Sequence, residues 1–491
     1  MDKKKVIGAT AAVTALAGIN AVRAAVYKPE KKEIVAYEPE TVDLDRFREN
    51  LSDAVKIPTI AEKNPADMNW EPFDRFHEFL KERYPLIHEC LTLEEPVRGS
   101  LLYRWKGSRD DLDPIALLSH QDVVPISEGT LQDWTYAPFD GVDDGEYIWG
   151  RGTLDMKNHL IGVMESVEAL LAEGFEPTRD VYLCFGHNEE VMTSEYSGAV
   201  AMCQYFKERG IHLDCVIDEG GAILPVNIKG IIDAQLAGIG VAEKGYADVE
   251  VSISAKGGHS SQPPKHSAIG ELAGVIQDIE NHQFKEELSP MMMELFDSVG
   301  RRMSYPMRLI MCNLPLLKPV IQKVMTLIPP AASMVRTTTG VTMASGSPAP
   351  NVLPQKASVN VNFRMYPGET IEDVEKHLKK VIKNKKAEIT VKPGWKNPSA
   401  ISPTDSRCFN ALRDICSQMN PKSIIAPYLV MGGTDACHYE AVCENIYRYS
   451  PFLVDTQLLL CTHGTNERVP IAALEDAIRF FKLYIRTLSA E

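Results

Sequence analysis

The stretch "ALLSHQDVVP", residues 116–125, ends an apolar run in His120, Gln121 and Asp122. In a strand, residues two apart share one face, so His120 and Asp122 point the same way. Alone, the pair reads first as a hydrogen-bonded strand end, and more sharply as a metal-ligand histidine oriented by a carboxylate. Four further places along the chain carry similar groups. Asp155 follows the glycine turn "WGRGTLD" and opens a helical pattern. Glu189 and Glu190 follow the strand-like "VYLCFG", Asp218 and Glu219 end "CVIDEGG", and His463 lies in "LLLCTHGTNE". Open α/β sheets bind their ligands at the carboxyl ends of strands, and here several such ends bear acids or a histidine. Two histidines with several carboxylates suit zinc, with cobalt or manganese as substitutes. A shared carboxylate among five ligands fits a two-metal hydrolase, whose ions lie roughly 3.5–4 Å apart. Such chemistry also needs a general base, and the doublet Glu189–Glu190 offers one acid for the metal and one for the proton.

The elements that must position these residues are legible in the periodicity. Between residues 98 and 236, strand-like runs ("SLLYRWKG", "IALLSH", "YIWGRG", "VYLCFG", "CVIDEGG") alternate with helical ones. "MKNHLIGVMESVEALLAEG" places Leu160, Met164, Val167 and Leu171 on one helix face, with Gly174 as its stop. This alternation predicts an α/β layer with a mostly parallel sheet. Near residue 240 the texture changes. "YADVEVSISAKG" and "ASVNVNFRMYPG" alternate apolar and polar residues, as half-exposed antiparallel strands do. The expected organisation is a catalytic α/β domain over residues 45–239 and 399–491, interrupted by an inserted α+β domain over 240–398. Within the insertion, residues 307–330 are strongly apolar but broken by Pro315 and Pro319, and are read as packed helices.

Composition narrows the function classes. The chain has 491 residues and a net charge of −15, which argues against a nucleic-acid partner. Ten cysteines form no C-x-x-C pair, and several sit in apolar contexts such as "YLCF" and "LLLCTH". That favours free thiols over a disulfide framework. Residues 1–26 place three lysines before an apolar run, like a signal peptide or signal anchor, and 27–44 read as a linker. As a spanning helix the run falls short of the usual ~20 apolar residues. Membrane association through residues 6–26 or secretion is expected, with a cytoplasmic N-terminal helix as the alternative.

Taken together, the motifs resemble the M20 metallopeptidase family, the aminoacylase-1/carboxypeptidase S group. The matching pieces are "SHQDVVP", "WGRGTLDMK", "GHNEEV", "VIDEGG", "AKGGHSSQPP", "RTTTGVTMASGSPAPNVLP", "VNFRMYPG", "GGTDACHY" and "THGTNE", in family order across roughly residues 45–490. The resemblance implies two zinc ions per chain. It places His120 and Glu190 at one metal, Asp155 as the bridge, and His463 with Asp218 at the second, Glu219 being the alternative to Asp218. It implies that Asp122 orients His120, that Glu189 is the general base, and that His259 stabilises the oxyanion, reaching a neighbouring subunit's site in dimeric relatives. Asn351 and Arg364 resemble substrate-holding groups, Arg364 pairing with a free carboxylate through its planar fork. The inserted domain then serves as a lid or dimerisation domain. The implied function is hydrolysis of an amide beside a free carboxylate, in short peptides or N-acyl amino acids. The alternative is a catalytically silent relative kept for binding or assembly, which has no reason to retain Glu189. Three places depart from the pattern: Asn188 where an acid is common, Met192–Thr193 where glycines are common, and Cys437 where a cation is common. The last leaves Arg364 as the expected sole strong carboxylate anchor.

Overall fold

The computed structural model describes residues 18–29, 37–191 and 196–490. Most of the anchor-like run before residue 18, part of the linker, and Met192 and Thr193 lie outside the described residues. The centre of the molecule is a nine-stranded mixed sheet. Its middle strands, Val181–Gly186, Ile115–His120, Cys215–Asp218 and Ile446–Arg448, run parallel in that order. Antiparallel partners extend both sides: Leu101–Trp105 and Thr92–Glu94 on one, Ile232–Glu243 and its hairpin mate Ile223–Ile228 on the other. The α/β reading holds, with parallel pairing concentrated where the expected ligands lie.

The uninterrupted apolar runs of the central strands follow from burial on both faces. Ile115, Leu117, Leu183, Cys215 and Ile217 enter one core, under helices Leu44–Val55, Lys157–Ala172, Arg407–Met419 and Ile471–Ser489. Ala116, Leu118, Tyr182, Cys184 and Val216 enter the opposite core, against helix Gly198–Glu208 and the short turn Asp435–Ala441. Fully burying a Leu or Ile side chain contributes ~1.5–3 kcal/mol, so a one-residue slip of any of these strands would be strongly resisted. All ten cysteines are free, most of them buried, consistent with their apolar contexts.

A second, four-stranded antiparallel sheet runs Thr338–Ser345, Lys356–Met365, Gly245–Ser254, Ala387–Val391. Helices Ala268–Asn281 and Ile371–Val381 fill its inner face with Leu272, Val275, Val374 and Leu378. The segment expected as one insertion divides between the two cores. Leu288, Met291, Met292, Leu295, Met325 and Val335 join the core of the main sheet, not that of the small one. Helix Pro290–Arg302 packs there against Ile424–Val430, the last strand of the main sheet, and covers an edge that would otherwise be open to pairing. The apolar 307–330 segment forms the separate helices Tyr305–Met311 and Leu314–Met325; Pro315 opens the second, whereas Pro319, expected as a break, lies inside it. Among the described residues no helix is long and apolar enough to cross a membrane.

Candidate active site

The three adjacent parallel strands Val181–Gly186, Ile115–His120 and Cys215–Asp218 end side by side, His120 directly opposite Gly186. Asp122 is fully buried beyond the middle one. Its carboxylate lies 3.3 Å from His120 Nδ1 and accepts the backbone N–H groups of Glu189 and Glu190, each at 3.1 Å. Asp122, expected to orient His120, thus fixes the turn that carries both glutamates, and its backbone carbonyl lies 3.0 Å from His120 Nδ1. His120 Nε2, on the other side of the ring, is left facing the cleft.

Around it the acids converge. Asp155 Oδ1 lies 3.0 Å from His120 Nε2, and Asp155 Oδ2 lies 2.9 Å from His463 Nε2. Glu219 Oε1 is 3.2 Å from His120 Nε2, and Glu190 Oε2 is 3.1 Å from His463 Nε2. Ligand atoms of His120, Asp155 and Glu190, and of His120, Glu189 and Glu219, lie within 4.8 Å of one another. The arrangement is two histidines, each with its own glutamate, and one aspartate between them. This differs from the expected pairing in two ways. His120 takes the acid of "DEGG" and His463 takes Glu190, because Glu219 follows the strand that flanks His120's own. And of the two acids it is Glu219 that lies beside His120. Asp218 continues the face of Val216, and its two oxygens accept the N–H groups of Glu219 and Ala436, both at 2.9 Å.

The charge balance of the cleft fits cations. Burial pushes the Glu219 carboxyl up to about 8, with Asp155 adding to the rise, and Asp435 up to about 7, with Asp218 adding. Glu189 is driven well above the usual carboxylate range by the same desolvation. Burial alone would raise Asp155 too, but hydrogen bonds from His120 and His463 hold it below its ordinary value. Those bonds to Asp155 and Glu190 push His463 up to about 10. So many carboxylates around two imidazoles form a nitrogen–oxygen donor set with excess negative charge, as zinc, cobalt or manganese ions require.

A model of peptidase family M20/M25/M40 matches residues 116–487. The chain belongs to this family. It is therefore a hydrolase, and the acid–histidine cluster is its candidate metal site. It is 36% identical to a probable carboxypeptidase S-like protein of Dictyostelium discoideum, over 88% of this chain and 83% of that protein. It is 31% identical to an N-fatty-acyl-amino acid synthase/hydrolase of Xenopus tropicalis, over 93% and 88%. The fold matches an M20 family metallo-carboxypeptidase of Sulfolobus solfataricus with a TM-score of 0.62 at 20% identity, covering 90% of this chain and 98% of that one.

In this M20 peptidase a cavity of about 490 Å³ adjoins the cluster at Glu189, Glu190 and His463, and Arg364, Lys396 and Lys244 line it as well. Arg364 stacks over the Tyr246 ring at 4.8 Å, which fixes the plane of its guanidinium. The cation missing at Cys437 is replaced from another segment: Lys396 Nζ lies 3.4 Å from Cys437 Sγ. Burial opposes its charge, but Cys437 and Glu243 more than compensate, and Lys396 is held above its ordinary value. Arg364, expected as the sole strong anchor, shares the cavity with Lys396 and Lys244. His259 and Asn351 meet on an exposed two-stranded ribbon, where Ser260 N–H donates to the Asn351 carbonyl at 3.1 Å, and neither lines this cavity.

Sequence reasoning missed Glu467. The motif "THGTNE" contains it, but nothing in its spacing announced a role. It is fully buried, and one of its oxygens accepts the N–H groups of Gly152 and Leu154 at 2.9 Å and of Asp155 at 3.3 Å. The other oxygen pairs with Arg151 Nη1 at 2.5 Å. Glu467 therefore clamps the loop of Asp155 to the segment that carries His463. Replacing Glu467 by Gln should lower metal affinity by roughly 10–100-fold, as loss of a ligand's supporting partner does. Metal titration of the variant measures this, and an unchanged affinity would show that the Asp155 loop holds itself.

Proposed function

We propose that this hydrolase cleaves the amide bond beside a free carboxylate, in short peptides or N-acyl amino acids, at a pair of divalent ions, with Glu189 as general base. The observation that carries the reading is the lining of one cavity, which Glu189, Glu190 and His463 share with Arg364 and Lys396. His120, Asp155 and Glu219 would hold one ion, and His463, Asp155 and Glu190 the other. The bound ions would polarise the scissile carbonyl and acidify a water molecule. Glu189, fixed through its backbone by Asp122, takes the proton of that water and hands it to the leaving amine. Arg364 and Lys396 hold the carboxylate, and so place the scissile bond near the acids.

Replacing Glu189 by Gln should leave metal content intact and lower kcat by at least ~10²-fold, the usual size of a lost general base. The wild type should prefer a free acid over its amide, and Arg364→Ala should lose that preference, at a cost of a few kcal/mol in kcat/KM, about that of a truncated charge pair. Normal turnover by the Gln variant, or an unchanged acid-to-amide ratio, would relocate the base or the carboxylate pocket.

The exposed His259 ribbon supports a second part of the reading, in which a partner copy or a closing motion of the second sheet brings His259 to a reacting carbonyl. His259→Ala should then lower kcat without loss of metal. Full activity of a monomeric His259→Ala enzyme would remove His259 from the chemistry.

We also propose that the N-terminal region associates with a membrane. Residues 18–26 form a helix tied to the helical insertion, with Arg23 Nη2 donating to the Cys312 carbonyl at 2.8 Å and the Tyr27 hydroxyl to Asp297 Oδ1 at 2.9 Å. Ile19, Val22 and Val26 stay exposed on it, and Leu316, Val320 and Val324 on helix Leu314–Met325. Two such aliphatic stripes favour an apolar interface. The full chain should float with phosphatidylcholine vesicles, and Leu316→Asp with Val320→Asp should weaken flotation. A full chain that stays with the soluble fraction counts against the association.

A further inference from the structure

The hairpin of strands Ile223–Ile228 and Ile232–Glu243 is a wall with two sides, because side chains alternate along it. Leu224, Leu236 and Gly238 line a space that reaches Asp155 and Glu219. Ile223, Pro225, Gln235 and Ala237 line a different cavity of about 440 Å³, which touches none of the acid–histidine cluster. Its volume lies within the ordinary range of small-molecule sites.

The lining of this remote cavity has three kinds of group. Asp455 and Asp476 belong to it, and no lysine, arginine or histidine does. One oxygen of Asp455 accepts the Leu458 N–H at 2.8 Å and caps helix Thr456–Cys461, which leaves the other oxygen for a ligand. The long helix Ile471–Ser489 starts at the same wall, through Pro470, Ala472 and Ala473. No side chain caps it, so the N–H groups of its first turn and the positive end of its dipole are open to an anionic group. Ser423 lines the space too. It is only 4% exposed, and its hydroxyl has no hydrogen-bond partner among the described residues. A buried hydroxyl left unpaired is costly, and so points to a group that would complete it. Met419, Leu453 and Leu458 add apolar surface.

We propose that this cavity binds a free α-amino acid with an apolar side chain, and that the bound molecule steadies the segment that carries His463. The ammonium goes to Asp455 and Asp476, the carboxylate to the uncapped helix start and the Ser423 hydroxyl, and the side chain to Met419, Leu453 and Leu458. The choice comes from the lining and does not depend on the amide-hydrolase reading. The link to His463 comes from the chain path. Asp455 and Leu458 precede His463 and Glu467, Pro470 follows them, and all three of these flanking residues line the cavity. Between these ends the backbone is strained. His463 and Asn466 have φ of 59° and 60°, in the left-handed region that residues other than glycine rarely adopt. Such a conformation persists only while its surroundings hold it. A ligand that bridges Asp455 and the start of helix Ile471–Ser489 ties the two ends of the segment together.

Calorimetry of leucine with the metal-loaded full chain tests the site. The wild type should bind leucine. Leucinamide and N-acetylleucine each lack one of its charges and should bind roughly tenfold more weakly or worse, as loss of a charged hydrogen bond implies. Asp455→Asn keeps the helix cap, removes the charge and should weaken leucine by a similar factor. Ala472→Trp, at an exposed position, fills the space and should abolish binding, whereas Arg364→Ala, in the cation-lined cavity, should leave it in place. Hydrogen exchange reads the link: leucine should slow amide exchange across residues 455–470 several-fold in the wild type and not in Ala472→Trp. No leucine binding overturns the proposal, and so does binding that Arg364→Ala removes and Ala472→Trp keeps, which would belong to the cation-lined cavity. Leucinamide bound as tightly as leucine would mark a site for cations alone and overturns the amino-acid assignment. Binding without slowed exchange overturns the link to His463. If no amide is cleaved, the amide-hydrolase reading fails, and these measurements still decide the site.

Discussion

The cluster depends on one buried carboxylate. Asp122 has no exposure to water, and three partners face it: the His120 ring and the amides of Glu189 and Glu190. A buried carboxylate is costly unless its lone pairs are used, and these contacts use them. They also make the strand end of His120 and the turn of the two glutamates one rigid piece. Two candidate ligands and the candidate base therefore keep their separations before any cation arrives. Pre-organisation of this kind moves the work of assembling the site from the moment of binding to the moment of folding.

The other half of the cluster is organised by the same physics from the opposite end of the chain. Glu467 does for Asp155 what Asp122 does for the glutamates, gathering backbone N–H groups onto a carboxylate that water cannot reach. A third buried acid, Glu243, accepts from Arg448 Nε at 2.7 Å and from the Thr434 N–H and hydroxyl, and so holds the loop that leads to Asp435 and Cys437. Each carries a loop whose own backbone would otherwise have unsatisfied donors. The cleft is thus rimmed by acids that face the two histidines and backed by acids that face amides. Composition cannot separate the two kinds.

That division marks what the sequence could and could not reveal. His120, Asp155 and Glu190 were legible because apolar strands end at or near them and because ligand sets recur at strand ends. The choice between Asp218 and Glu219 was not, since adjacent residues at a strand end point to opposite sides and only the register says which side is the cleft. Lys396 was invisible for a related reason. It reaches Cys437 across a long sequence separation, through a strand-like bridge in which Tyr246 and Lys396 exchange backbone hydrogen bonds at 2.9 Å. The two-way split of the inserted segment was hidden too, because amphipathic helices announce that they have an apolar face and not which sheet will cover it. The glycine-rich hairpin of residues 220–240 has little periodicity to read.

The clamp made by Glu467 has a further consequence, in time rather than in space. His463 and Glu467 are made after His120, Asp155 and the glutamate turn, and strand Arg468–Pro470, which follows Glu467 directly, pairs with Tyr147–Trp149. Domains form largely in the order in which they are synthesised. The central strands, with His120 and the glutamate turn, can therefore be in place while Asp155 still lacks its support and His463 has not yet arrived. During synthesis the nascent chain carries a partial set of these residues, and the cluster is complete only once the segment of His463 and Glu467 has joined it. A complete cluster then reports that the chain has been made through its late strand, Arg468–Pro470, and has closed on itself.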